Sequence, residues 1–278
     1  MTNILLDLDA RPIIAHRGAS ADAPENTLEA FRVAAEQRCD AFECDVRITR
    51  DGIPILMHDP VLDRTTDRTG PVAALTLAEL QAVDAGAAYR AQDGSRPWLG
   101  KGVRVPTLRE VLRAFPEMPI LMEIKALEAQ DAVARLLLEE QAAERCVVAS
   151  FQPGAMEAFR RPPFLTAATR RDAVALYWRV RLGLRSPVPR CLCYAMPYRW
   201  KNRIEIPFPR FIAEARRHGR PVHVWTVDDG ELARRLWRRG VSGMITNRPG
   251  FLRTVRRSVG QSLIRPSDRP TVRPSTNT

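Results

Sequence analysis

Short apolar runs recur along the chain at 12–15, 41–48, 53–57, 120–124, 146–149, 165–168, 191–194, 222–227 and 243–246. Runs of this length, bounded by Gly, Pro, Asp and Arg, fit buried strands better than helices. Between them, apolar positions return at helical spacing near 26–38, 107–115, 129–143, 153–160, 172–183, 207–218 and 229–239. That alternation predicts an α/β chain, a parallel sheet with helices outside it. One pair departs from the rhythm. Only 49–52 separates 41–48 from 53–57, and Arg50-Asp51-Gly52 is a turn signal, so these two runs are expected to form a hairpin. Counting the hairpin once leaves eight runs, the number that closes a (β/α)8 TIM barrel.

Two segments stand outside the repeat. Residues 60–106 are rich in Thr, Gly, Asp and Arg and carry one short helical pattern near 77–83. They are expected to be a small inserted subdomain after the second strand, on the rim of the barrel. Residues 253–278 hold Arg, Ser, Pro and Thr with few apolar groups, and a basic disordered tail is expected there. The barrel domain then covers about 10–252. With 278 residues the chain suits one barrel rather than two domains.

Composition narrows the partners. The formal net charge is +11, carried almost wholly by Arg. Such a balance suits nucleic acid, a membrane surface or an anionic small molecule. The charge is spread along the chain, denser over 160–220 and beyond 234, with no alternating basic and aromatic track, so nucleic acid is not expected. Weak contact with an anionic membrane surface stays open; Tyr177, Trp178, Tyr198 and Trp200 would contribute, although core and groove packing is the expected role of these rings. Cys39, Cys44, Cys146, Cys191 and Cys193 are odd in number and imply neither a disulfide framework nor a zinc site. The N-terminal apolar run is broken by Asp7 and Asp9 and lacks a basic lead, so no signal peptide is expected, and the protein reads as cytoplasmic.

Charged residues cluster at strand ends. His16-Arg17-Gly18 follows the first run, at the C-terminal end where barrels place active sites. Alternation puts Glu43 and Asp45 on one face of the second strand, with Phe42, Cys44 and Val46 on the other. Two carboxylates inside a barrel need a cation, a proton or arginine partners. His58-Asp59 closes the hairpin, and Glu123-Ile124-Lys125 ends the fourth apolar run with the same two-residue spacing. Three carboxylates suit one hard divalent cation, Mg²⁺ or Ca²⁺. Arg17 and Lys125 suit phosphate. His16 and His58 suit general acid–base work. Asp63 and Asp67 are expected to cap turns, His218 to end a helix, and His223 to pack low in the barrel interior.

These residues stand in a recognisable order. His16-Arg17-Gly18, Pro24-Glu25-Asn26-Thr27, Glu43-Cys44-Asp45-Val46, Asp51-Gly52, His58-Asp59 and Arg64-Thr65-Thr66 are followed by Gly70, the stretch 75–80, Val105-Pro106-Thr107-Leu108, Glu123-Ile124-Lys125, Ser150-Phe151 and Trp225-Thr226-Val227. The chain resembles the glycerophosphodiester phosphodiesterase family, one of the phosphatidylinositol-phospholipase-C-like barrels, over roughly 12–250. The resemblance implies a TIM barrel with an insertion after the second strand and a metal on Glu43, Asp45 and Glu123. It implies His16 and His58 as the acid–base pair, Arg17 and Lys125 on the phosphate, and Trp225 lining the pocket near the alcohol. The implied reaction releases glycerol 3-phosphate and an alcohol. A lysophospholipase D-type reaction on a larger lipid and a noncatalytic barrel holding a phosphorylated ligand are the competing readings. Two positions depart from the family pattern. Asp228 stands where Asn is common after Trp-Thr-Val, and Thr246-Asn247 stands where Thr-Asp is common. Both are expected to bear on loop stability or substrate preference rather than on the chemistry.

Overall fold

The computed structural model describes residues 3–152, 154–200 and 204–262. Its strands are β1 (Ile13–His16), β2 (Ala41–Ile48), β3 (Pro54–Leu56), β4 (Ile120–Ile124), β5 (Cys146–Ala149), β6 (Leu165–Thr166), β7 (Tyr194–Pro197), β8 (Arg199–Trp200), β9 (Ile204–Glu205), β10 (Val222–Trp225) and β11 (Gly243–Thr246). Its helices are α1 (Leu28–Glu36), α2 (Leu77–Leu80), α3 (Leu108–Ala114), α4 (Gln130–Glu139), α5 (Arg170–Arg181), α6 (Pro209–Arg217), α7 (Gly230–Arg238) and α8 (Pro249–Ser262).

Eight strands run in the order β6-β5-β4-β2-β1-β11-β10-β7, each parallel to its neighbours. The two ends of that path meet. Ala167 bridges Cys193 in parallel, the Ala168 amide donates to the Cys193 carbonyl at 2.8 Å, and the Leu192 amide donates to Thr166 at 2.8 Å. The sheet therefore closes as a TIM barrel. β3 pairs antiparallel with β2, as the Arg50-Asp51-Gly52 turn predicts, and on its other side Ile55 bridges Thr107.

Strand alternation sorts the core into layers. Phe42, Cys44 and Val46 face outward and pack with Phe31 and Ala34 of α1 and with the apolar faces of α3 and α4. Ile14, Ala41, Leu121, Val147, Cys193 and Ile245 point inward and fill the barrel with Leu5. Leu5 belongs to a 3₁₀ turn at Ile4–Leu6, which the sequence reading did not anticipate. The insertion has a small core of its own, including Ile55, Leu62, Val72, Leu80, Val83 and Val105. Asp63 and Asp67 cap turns within it, accepting from the Gly70 and Asp84 amides at 3.0 and 2.8 Å.

Three expectations need correction. The helix read over 153–160 is only a 3₁₀ turn at Glu157–Phe159. A two-stranded ribbon of β8 and β9 follows β7, where no strand was read. The disordered tail does not begin at 253. α8 runs on to Ser262 with Leu252 and Val255 buried, and Arg256 pairs with Asp40 at 2.5 Å. The remainder of the expected tail, 263–278, lies outside the described residues. Among the described residues no helix is long and apolar enough to cross a membrane.

His223 takes the interior position expected of it, fully buried with Nε2 donating to the Leu5 carbonyl at 2.8 Å. Burial pushes the ring down to about 4. An unfolded histidine titrates near ~6.5, so between these values the unfolded chain binds more protons. The ring's contribution is complete above that window and is lost as pH falls through it, roughly 3 kcal/mol in all. The urea midpoint should rise with pH over that interval, and His223→Gln should flatten the rise. Identical pH slopes for the two proteins would contradict the assignment.

Candidate active site

β1 ends at His16, and the chain then turns sharply. Arg17 and Gly18 both take the left-handed conformation, at φ 57° and 83°. A side chain at Gly18 would also meet the Ala30 backbone at 2.6 Å, so only glycine lets α1 pack this close beneath the turn. The turn aims the Arg17 amide at Glu43 Oε2, 3.0 Å away.

Register assembles the carboxylates. His16 lies opposite Glu43 across β1 and β2, and Asp45 lies opposite Glu123 across β2 and β4. Glu43, Asp45 and Glu123 thus converge inside the barrel mouth, with one oxygen from each lying within 4.8 Å of the others. Lys125 Nζ sits 2.9 Å from Glu123 Oε1 and 3.2 Å from Asp45 Oδ1. Arg17 Nε lies 2.9 Å from Asp45 Oδ2, close but poorly aligned for a hydrogen bond. Asn26 completes the shell of Asp45, donating from Nδ2 to Oδ2 at 3.0 Å and accepting from the Asp45 amide at 3.2 Å.

The charges are unequally matched. Burial pushes the Glu43 carboxyl well above the usual carboxylate range and Asp45 adds to this, against Arg17. Burial acts likewise on Asp45, but Arg17 and Lys125 outweigh it and hold that carboxyl below its ordinary value. Glu123 is raised by burial despite Lys125. Burial also opposes the charges of Arg17 and Lys125, but Asp45 together with Glu25 and Glu43 at Arg17, and Asp45 together with Glu123 at Lys125, outweigh it, and both are held above their ordinary values. Among the described residues Glu43 has no Lys or Arg side chain within ion-pairing distance; its nearest cationic candidate is His16 Nε2 at 4.0 Å. Two raised carboxyls beside a third are a donor set lacking positive charge. Oxygens on opposite sides of a bound Mg²⁺ or Ca²⁺ stand about 4–5 Å apart, so the spacing fits one hard cation.

The two histidines stand on different supports. His58 Nδ1 lies 2.7 Å from Asp59 Oδ1, and Asp59 Oδ2 accepts from Arg64 Nε at 2.5 Å. Arg64 continues to Glu25 at 2.7 Å, and Glu25 to Arg17 at 2.9 Å, so one network ties both sides of the mouth. His16 Nδ1 instead lies 2.7 Å from the Asn247 side-chain oxygen. Burial and Arg17 lower the pKa of His16 against that hydrogen bond.

One pocket gathers all seven charged or titratable residues singled out from sequence: His16, Arg17, Glu43, Asp45, His58, Glu123 and Lys125. Trp225 lines the same pocket, its ring edge-on to Phe151 with centroids 6.2 Å apart. Sequence reasoning assigned no role to Asn26, Asp59, Arg64 or Asn247. The first three lie inside quoted motifs, which were the available signal. Asn247, expected to bear on loop stability or substrate preference, is in direct contact with His16.

Comparison with known proteins identifies the family and the fold. The model of the glycerophosphoryl diester phosphodiesterase family matches residues 16–251. The Bacillus subtilis protein YhdW, which carries a provisional glycerophosphodiester phosphodiesterase name, is 32% identical over 255 residues, spanning 86% of this chain and 96% of its own. The glycerophosphoryl diester phosphodiesterase domain of a Mycobacterium tuberculosis protein superposes with a TM-score of 0.79 at 22% identity, covering 89% of this chain and 99% of that one. An Oleispira antarctica phosphodiesterase, solved with its product sn-glycerol-3-phosphate, superposes with a TM-score of 0.72 at 24% identity, covering 88% and 96%. The family model runs from the histidine that ends β1 to the first turn of α8 and so takes in the last residue of β1 and every later strand of the barrel; this chain belongs to the glycerophosphoryl diester phosphodiesterase family.

Proposed function

We propose that the protein hydrolyses glycerophosphodiesters to glycerol 3-phosphate and an alcohol, using one divalent cation, Mg²⁺ or Ca²⁺, at Glu43, Asp45 and Glu123. The observation that carries this reading is the convergence of three carboxylates, two cations and two histidines in one pocket with an aromatic wall. A bound cation would neutralise charge on the phosphate as the transition state forms. Arg17 and Lys125 hold phosphate oxygens. His16, backed by a neutral amide and held toward its neutral form, accepts the proton of the nucleophile, a water or the adjacent glycerol hydroxyl. His58, oriented by the Asp59 carboxylate at its Nδ1, gives its proton to the leaving alkoxide. With water as the nucleophile one P–O bond forms, the P–O bond to the alcohol breaks, and one water is added in a single displacement. With the glycerol hydroxyl the first displacement releases the alcohol and leaves a cyclic glycerol phosphate, and a second displacement, by water, breaks one ring P–O bond to give glycerol 3-phosphate. Trp225 and Phe151 flank the alcohol. The five thiols are buried and unpaired, which suits a reducing compartment, and a cytoplasmic setting is part of the proposal.

The test measures glycerol 3-phosphate release from glycerophosphocholine and glycerophosphoethanolamine with Mg²⁺ or Ca²⁺, with chelator, and with Glu123→Ala. Metal-dependent release that the variant lacks is expected. No release from intact, metal-loaded protein rejects small diesters as substrates.

One observation favours a larger lipid diester and contact with an anionic membrane. Val174, Trp178 and Leu182 form an exposed stripe at i, i+4 and i+8 on and just beyond α5, with Trp178 58% exposed. Exposed Arg170, Arg171, Arg179, Arg181 and Arg185 flank it. Tyr177 and Tyr198 instead pack into the core groove, as expected of them, whereas Trp178 does not. Salt-sensitive binding to phosphatidylserine vesicles, lost in Trp178→Ala, supports this second reading; equal retention of both proteins rejects it.

A further inference from the structure

Asp228 and Asn247, the two departures from the family pattern, touch each other. Asp228 Oδ1 accepts from the Asn247 amide at 2.8 Å and from Thr246 Oγ1 at 2.8 Å. Asp228 Oδ2 accepts from Asn247 Nδ2 at 2.6 Å. A carboxylate can only accept, so Asn247 must turn its NH₂ toward Asp228 and its oxygen toward His16. That oxygen, 2.7 Å from His16 Nδ1, can only accept in turn. The proton of the neutral ring is thereby held on Nδ1, and the Nε2 lone pair is left on the side of Glu43, 4.0 Å away.

Ser20 does not decide the orientation. Its Oγ lies 2.7 Å from Asn247 Oδ1 and 2.9 Å from the His16 carbonyl. The hydroxyl can donate to Asn247, or rotate its proton to the carbonyl and accept from a reversed amide. Asp228 is the one partner of this amide that admits a single orientation.

We propose that Asp228 and Asn247 act together as a positioning pair that selects the Nδ1–H tautomer of His16 and presents a bare Nε2 to the nucleophile. Residue 228 acts through residue 247 and touches neither substrate nor the reacting atoms. The proposal rests on the base role given to His16 above, but its tautomer half does not.

The chemistry makes the two substitutions reciprocal. In Asp228→Asn the new side chain has one acceptor for three donors. If its oxygen keeps the Asn247 amide and Thr246, its NH₂ meets the NH₂ of Asn247. The Asn247 side chain then turns over, its NH₂ faces His16 Nδ1, and the ring proton moves to Nε2. In Asp228→Asn combined with Asn247→Asp, the amide at 228 donates to the carboxylate at 247. That carboxylate accepts from His16 Nδ1, so every hydrogen bond of the native arrangement is restored.

The experiment uses the full chain with Mg²⁺ present. Nitrogen-15 spectra of the histidine rings, at a pH where His16 is neutral, are recorded beside kcat and KM on glycerophosphocholine. Asp228→Asn is expected to carry the Nε2–H tautomer, to lose about 10²-fold in kcat, and to keep KM within a few-fold. The double variant is expected to return to the Nδ1–H tautomer and to recover most of the lost kcat. A native tautomer in Asp228→Asn overturns the proposal. So does a double variant no better than the single one, or one that fails to fold, since it retains the full set of bonds. If the wild type releases no glycerol 3-phosphate, the functional reading fails, and the spectra still decide whether the pair selects the tautomer.

Discussion

Replacing Asp45 by Asn should abolish activation by Mg²⁺ or Ca²⁺ and lower folding stability by about 3–5 kcal/mol, a cost typical of removing one partner from a buried ion-pair network. The side chain is 1% exposed and carries more of the site than any other carboxylate. It meets Lys125 at 3.2 Å, Arg17 at 2.9 Å and Asn26 at 3.0 Å. An amide of the same shape keeps one acceptor and turns an NH₂ toward a buried cation, and without the Asp45 charge Arg17 keeps only Glu25, and Lys125 only Glu123, as an ion-pair partner. One effect runs the other way, because the loss of this charge relieves the repulsion that helps hold Glu43 and Glu123 up. The contacts to Arg17, Lys125 and Asn26 lie at 2.9–3.2 Å and all weaken together, which outweighs the two repulsions removed, so the net change is destabilising. Urea denaturation in chelator measures the stability change, and metal titration of the activity measures the rest. A variant with native stability and native metal response would show that Asp45 neither anchors the cations nor helps to hold the metal.

The legibility of this site in the sequence follows from how local each signal is. Alternation in β2 separates Glu43 and Asp45 from Phe42, Cys44 and Val46 without knowledge of any partner strand, and the structure places the two sets on opposite faces. The hairpin is legible because Arg50-Asp51-Gly52 specifies it within four residues. What stays hidden depends on distant partners. Leu5 plugs the barrel from a three-residue turn whose flanking Asp7 and Asp9 make it look like a polar leader. α8 runs past 253 because Val255 finds a buried site and Arg256 finds Asp40, two hundred residues away in sequence, so that an Arg-rich stretch acquires a docked face. The 153–160 pattern has helical spacing, yet Pro153 and Gly154 at its start work against a helix, and only a 3₁₀ turn forms. Asn247 illustrates the same limit at the site. As a departure at one position it looks peripheral, and only the fold brings it to His16 on one side and Asp228 on the other.

His16→Ala and His58→Ala should each lose about 10²–10⁴-fold in kcat on glycerophosphocholine, where the leaving group is an alkoxide that needs a proton. The supports behind the two rings predict that this equality breaks down with a better leaving group. Asp59 behind His58 places a carboxylate on Nδ1, in an arrangement continued through Arg64 to Glu25. Asn247 behind His16 offers no such charge, and burial further disfavours the imidazolium. A glycerophosphodiester with a nitrophenol in place of choline departs as a stable phenolate and needs no acid. On that substrate His58→Ala should recover most of its lost rate, because the step it served has been removed. His16→Ala should stay impaired, because the nucleophile still has to lose a proton. The measurement is the ratio of kcat on the two substrates for wild type and both variants. Recovery by His16→Ala instead of His58→Ala would exchange the two roles, and recovery by neither would place both rings in substrate positioning rather than proton transfer.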